Sequence, residues 1–132
     1  MKSNIEIPKF AKIKNYRTMD SSKKNMAVSG QKKYQLEWMK EEINEFYEAV
    51  SIEDNDEIMD EAIGLMRTAQ QFSDSKRVLN CWHKVKDDVK KVFKNKSQYN
   101  KAFKQWKHKK TLKNQAKEVT SKSLLDFFNL FN

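Results

Sequence analysis

Glu42 and Glu45 stand three residues apart, and Glu57 and Asp60 repeat that spacing a short distance further on. On a helix, residues three apart share a side within one turn, so each pair presents two carboxylates together. If the two helices are joined tightly, all four acids converge in a small volume. Like charges that close repel or force protonation unless a cation lies between them. A hard divalent ion such as Mg²⁺ meets that need, because it takes oxygen ligands and accepts phosphate oxygens while keeping some of its waters. The competing reading is plainer: acids on a helix usually form a solvated face, and those near a helix start suit the macrodipole. Glu41, Glu48, Glu53 and Asp54 read as solvated under either view. From Glu37 to Glu61 there are eleven acidic residues against one lysine, Lys40. From Lys76 to Lys122 there are sixteen Lys or Arg against Asp87, Asp88 and Glu118, and the whole chain carries a formal charge of +9. The acids are therefore gathered in one place within a basic chain.

The elements that must position them are helices. Two Gly and one Pro in 132 residues leave little turn chemistry for a sheet, and 34% charged with 38% hydrophobic residues suits amphipathic helices in one modest domain. Met39, Ile43, Phe46 and Val50 step by four, three and four along a first helix from about Gln31 to Val50. Ser51 to Asp54 make a short turn. A second helix starts near Asp56, its expected N-cap, and runs through Ile58, Ala62, Leu65 and Ala69 to about Phe72. A third, from Lys76 to about Lys94, carries Val78, Trp82, Val85, Val89, Val92 and Phe93. A fourth begins at Tyr99, with Ala102, Phe103 and Trp106 in the same spacing. The expectation is an all-α bundle of about four helices, spanning 29–118. Residues 1–28 lack a sustained period and read as a mobile arm; 119–132 read as a linker and an apolar tail, a short helix or peptide. Short connections make antiparallel neighbours, so the first two helices form the hairpin that brings the acids together. A unit of this size leaves apolar positions for a partner, so a dimer or larger homo-oligomer is expected.

KEEINEFYEAV followed by DEIMDEAIGLMRTA resembles the paired signature of the all-α nucleoside triphosphate pyrophosphohydrolases, the MazG-like group that also includes dimeric dUTPases. That signature is ExxE on one helix and ExxD on the next, and here it falls on Glu42-x-x-Glu45 and Glu57-x-x-Asp60. The resemblance covers roughly residues 31–72. It implies Mg²⁺-dependent conversion of a nucleoside triphosphate to monophosphate and pyrophosphate, with Glu42, Glu45, Glu57 and Asp60 as metal ligands. Any of these four, or Glu41 or Glu61, takes the proton of the attacking water. Glu61 directly after Asp60 departs from the family pattern, and is either a further ligand or simply exposed. Basic groups that hold phosphates in that family lie on later helices; Arg67, Lys84, Lys101 and Lys104 are the candidates here, each weighed against an ordinary solvated role. Trp38 and Tyr34 are placed to stack a base, or to serve the core or a dimer contact.

Two further stretches point elsewhere. Lys101 to Lys117, KAFKQWKHKKTLKNQAK, interleaves aromatics with lysines, a pattern that attracts phosphate backbones and stacks unpaired bases. It is the basis of a second reading, a non-catalytic basic adaptor that binds nucleic acid. The tail SKSLLDFFNLF sets Leu124, Leu125, Phe127 and Phe128 after a polar linker. It is similar to the C-terminal peptides by which replication and transcription proteins, including those of T4-like phages, dock onto sliding clamps, although it lacks the glutamine of the cellular version. A helix capping its own core explains it equally well. There is no Gly-rich phosphate loop, which argues against a P-loop or Rossmann mechanism, and His83 and His108 have no Cys partner at zinc spacing. Cys81 lies in an apolar-periodic stretch and reads as an idle thiol. No apolar run is long enough to span a bilayer and none resembles a signal peptide, so a cytoplasmic protein that does not engage membranes is expected.

Overall fold

The computed structural model describes residues 5–13 and 16–95. Within them the chain forms four α-helices: α1 (Ser21–Val28), α2 (Lys32–Ser51), α3 (Asn55–Gln71) and α4 (Lys76–Lys94). This is an all-α four-helix bundle, as the composition implied. The set of four differs from the expected one. The helices read from the apolar spacing are α2, α3 and α4, while α1 lies in the stretch taken for an arm. The helix expected from Tyr99 onward lies outside the described residues, as do Lys101, Lys104 and the tail positions Leu124, Leu125, Phe127 and Phe128.

Three of the four helices start where a side chain takes up free N–H groups; α2 starts at Gln31 without such a bond. Asp20 accepts from the backbone N of Lys23 at α1, and Ser75 accepts from that of Val78 at α4. At α3 the cap is Asp54, not the expected Asp56: its carboxylate accepts from the backbone N of both Asp56 and Glu57. The turn before it is tight, with Glu53 in the left-handed region at φ 55°. Both acids of the α3 first turn, Asp56 and Glu57, then sit at the positive end of the helix dipole.

The core lies between α2, α3 and α4. Met39, Ile43, Phe46 and Val50 of α2 meet Ile58, Ala62, Leu65 and Ala69 of α3 and Val78, Trp82, Val85, Val89 and Val92 of α4, all buried. Tyr47 is fully buried on the α4 side, and its hydroxyl donates to Asp88 Oδ2 at 2.5 Å, so its polar atom is satisfied where its ring is packed.

The N-terminal stretch is fastened to the bundle. Ile5 and Met19 are buried, the backbone N of Lys12 donates to Asn44 Oδ1 at 2.7 Å, and that of Met19 donates to Glu41 Oε2 at 3.1 Å. Gln35 Nε2 donates to the carbonyl of Ala27, fixing α1 on α2 at 2.9 Å. The expectation of a free arm over 1–28 fails because this segment is held by isolated apolar contacts and long-range hydrogen bonds, neither of which leaves a period in the sequence. Among the described residues, no helix is long and apolar enough to cross a membrane.

Candidate functional site

The polar side of the α2–α3 hairpin is where the acids meet. Glu45 lies beside Glu61, and Glu42 lies beside Gly64, so the register runs antiparallel with the index falling on one helix as it rises on the other. This register is about one turn away from direct pairing of Glu42 and Glu45 with Glu57 and Asp60. The four expected ligands therefore do not form a single ring. They divide into two overlapping groups, Glu42–Glu45–Glu61 and Glu57–Asp60–Glu61, within each of which one carboxylate oxygen per residue lies within 4.8 Å of the others. Glu61 belongs to both.

Two adjoining clefts flank this shared residue. One, of about 220 Å³, is lined by Glu42, Glu45, Asp60, Glu61, Ile63, Gly64 and Arg67. The other, of about 320 Å³, is lined by Tyr16, Glu45, Glu48, Ala49, Ile52, Glu57 and Glu61. Arg67 is thus the cation that the structure puts on the rim of the acidic cleft. Lys84 is elsewhere, exposed on α4 with its Nζ 5.7 Å from the centre of the Phe10 ring.

Half-burial of several acids in one place leaves a mark on their protonation. Burial pushes the Glu42 carboxyl up to about 7, and the neighbouring charge of Glu45 adds to it, while the hydrogen bond from Trp38 opposes it. Burial also drives Glu61 up to about 9, reinforced by the charge of Glu45 and a side-chain hydrogen bond with it. Glu45 is raised as well, first by burial, with the bond to Glu61 working against the rise. Their closeness and their burial both favour protonation at this pair.

The surroundings hold the acids in position. Trp38 Nε1 donates to Glu42 Oε1 at 3.3 Å, its ring packs against Phe72 with centroids 5.4 Å apart, and Lys24 Nζ stands 5.2 Å over it. The Trp38 indole is therefore engaged on its edge and face, which makes it an orienting group for Glu42 rather than an open stacking surface. Gly64 is the small residue that lets α3 come close: a Cβ there would meet Glu42 Oε2 at 3.1 Å. Tyr16 OH donates to Glu48 Oε2 at 2.9 Å, and burial lifts its hydroxyl above the usual tyrosine range.

Of the four acids read as solvated, Glu48, Glu53 and Asp54 are exposed, two of them with a bonding role, and Glu41 is not. Glu41 is buried and accepts from the backbone of Met19, Asp54 is the α3 cap, and Glu48 is exposed but bonded to Tyr16. Glu41 thus ties the N-terminal stretch to the acidic group, since it is also hydrogen-bonded to Glu45. Sequence reasoning missed Lys24, Gly64 and Tyr16. Only Gly64 left a trace, as a mid-helix glycine in a chain with two. Cys81 is half-buried, and burial raises its thiol, which keeps it in the unreactive protonated form.

No family model, no curated protein and no solved structure matches this chain. The labels carried in with the family resemblance are corrected accordingly. The structure supports the all-α bundle, and these comparisons give no support to hydrolase, MazG-like, magnesium, phage-like or clamp-binding as labels for this chain.

Proposed function

We propose that the α2–α3 cleft binds a divalent cation, Mg²⁺, and hydrolyses a nucleoside triphosphate to monophosphate and pyrophosphate. The observation that carries this reading is the sharing of Glu61 between two carboxylate groups in a cleft with Arg67 on its rim. The donor set fits the ion: it is made of oxygens alone, and the acids bear elevated proton affinities that a cation would relieve. The bound cation supplies charge neutralisation and lowers the pKa of water at the cleft.

The chain's own residues do the rest. Glu42 is aimed by the Trp38 N–H, Glu45 and Glu61 are held against each other, and Arg67 offers a planar fork suited to phosphate oxygens. Glu61, reaching both groups, would be the ligand common to them when a cation is bound. The spacing of Glu42, Glu45, Glu57 and Asp60 pointed to the cation at the outset, and the hydrolysis is what the family resemblance implies.

The test is a panel of canonical and modified nucleoside triphosphates incubated with Mg²⁺, read by release of pyrophosphate. Turnover of at least one is expected, and Glu45→Gln or Asp60→Asn should abolish it while leaving the helical circular dichroism unchanged. No pyrophosphate from any nucleotide, together with no Mg²⁺ binding by calorimetry, would overturn the reading.

A further inference from the structure

The outward side of α4 carries a run of cations, most of which make no hydrogen bond, ion pair or ring contact among the described residues; Lys84 lies over Phe10 and Lys91 pairs with Asp88. Lys76, Arg77, Lys84, Lys91 and Lys94 are exposed, and Lys86 and Lys90 are partly so, along a 19-residue helix about 28 Å long. Val78, Trp82, Val85, Val89 and Val92 occupy the opposite side and are buried, so the cations share one broad face. Asp87 is the one exposed acid on it; Asp88 is half-buried and accepts from Tyr47. Among the described residues, the only salt bridge on this helix is Lys91 with Asp88, at 3.7 Å.

Helix stability does not account for the pattern. Lys91 and Lys94 in the last turn suit the macrodipole, but Lys76 and Arg77 occupy the first turn, where cations are disfavoured and no acid offsets them. The basic character thus runs the full length of the helix, including the end where it is unfavourable. Its large aromatics are turned inward, Trp82 being 1% exposed and Phe93 packing on the core, while the His83 imidazole is exposed among the cations. A face with seven cations and, on the helix itself, one exposed ring suits phosphates held at regular spacing on a duplex better than a row of splayed single-stranded bases.

We infer that the outer face of α4 binds the phosphate backbone of double-stranded nucleic acid without reading its sequence. This surface is separate from the acidic cleft, and its test does not depend on hydrolysis. Binding of the full chain to a fluorescein-labelled duplex of about 20 base pairs is followed by anisotropy across a salt series. Lys76→Gln, Lys84→Gln and Lys94→Gln combined should weaken binding to all duplex sequences alike and reduce the slope of log affinity against log salt by about 3. Asp87→Asn, which removes the face's exposed acid, should tighten binding, a gain that misfolding cannot imitate. Absence of duplex binding by the wild-type chain at low salt would overturn the proposal. So would unchanged affinity in the triple variant, tighter binding to single strands than to duplex, a loss seen only when Lys101 and Lys104 are replaced, or binding to anionic lipid vesicles in place of duplex.

Discussion

The α2–α3 hairpin and α4 are both amphipathic and bury similar apolar stripes, yet they treat charge in opposite ways. On α4 the cations project into water along one face. Exposed charges of this kind cost little to keep, and they contribute little to stability. On the hairpin, Glu42, Glu45 and Glu61 are half-buried within 4.8 Å of one another, and their proton affinities are raised. Converged, desolvated like charges oppose folding. The difference teaches where to look for chemistry: the charges that destabilise their own fold mark the site, while the more numerous charges spread in solvent mark at most a surface.

The largest effect should come from the core that both regions share. Trp82→Ala removes a fully buried indole beneath α4 and should cost about 3–5 kcal/mol in denaturant unfolding. A loss below about 1 kcal/mol would mean that α4 is not docked on the hairpin as described.

The next change acts on the hairpin's polar face and has a sign. Glu61 holds its proton up to about pH 9 in the folded chain, against 4.5 for an ordinary carboxyl, so the folded state binds the extra proton between those values. The stability associated with that proton is fully present below 4.5 and is lost as pH rises through 9. The melting temperature of the metal-free protein should therefore fall across this window, and Glu61→Gln should flatten the fall while raising the melting temperature at its alkaline end. The same variant should lose Mg²⁺ binding. Stabilisation without loss of metal binding would break the link between cost and function.

Smaller effects test how the acids are held. Trp38→Phe keeps a ring against Phe72 but removes the N–H to Glu42; it should cost about 1 kcal/mol in stability and weaken Mg²⁺ roughly 10–100-fold by calorimetry. Gly64→Ala gains about 1 kcal/mol of helix propensity, but its Cβ displaces the Glu42 carboxylate. The net change in melting should be slight, with metal affinity falling further than stability does. The least effect is expected on the outer face, where Lys84→Gln should alter unfolding by less than about 0.5 kcal/mol. A larger loss would show that its contact with Phe10 matters to the fold.

The same contrast explains what was legible in the sequence. The helices α2, α3 and α4 were, because apolar steps of three and four recur for many turns in each, and α4 was read with the bounds it has. The cleft was legible in kind but not in register. Spacing within one helix fixes which acids share a side, but the turn at Glu53 decides which residues face them across the hairpin, and it brought Glu61 opposite Glu45. Burial of Glu41 was not legible, since its partner is a backbone N–H 22 residues earlier. The attachment of Ile5 to Met19 escaped for a related reason: two buried side chains and two backbone donors produce no period.

That attachment bears on the order of events during synthesis. The segment that supplies the Lys12 and Met19 N–H groups leaves the ribosome before the Asn44 and Glu41 acceptors have been made. It must wait, unpaired, until α2 has emerged. Conversely, a chain started at residue 29 would contain the whole hairpin and α4, yet it would lack the Met19 N–H that Glu41 accepts from and the buried side chains of Ile5, Met19 and Ala27. A piece that keeps all of these contacts begins upstream of α1.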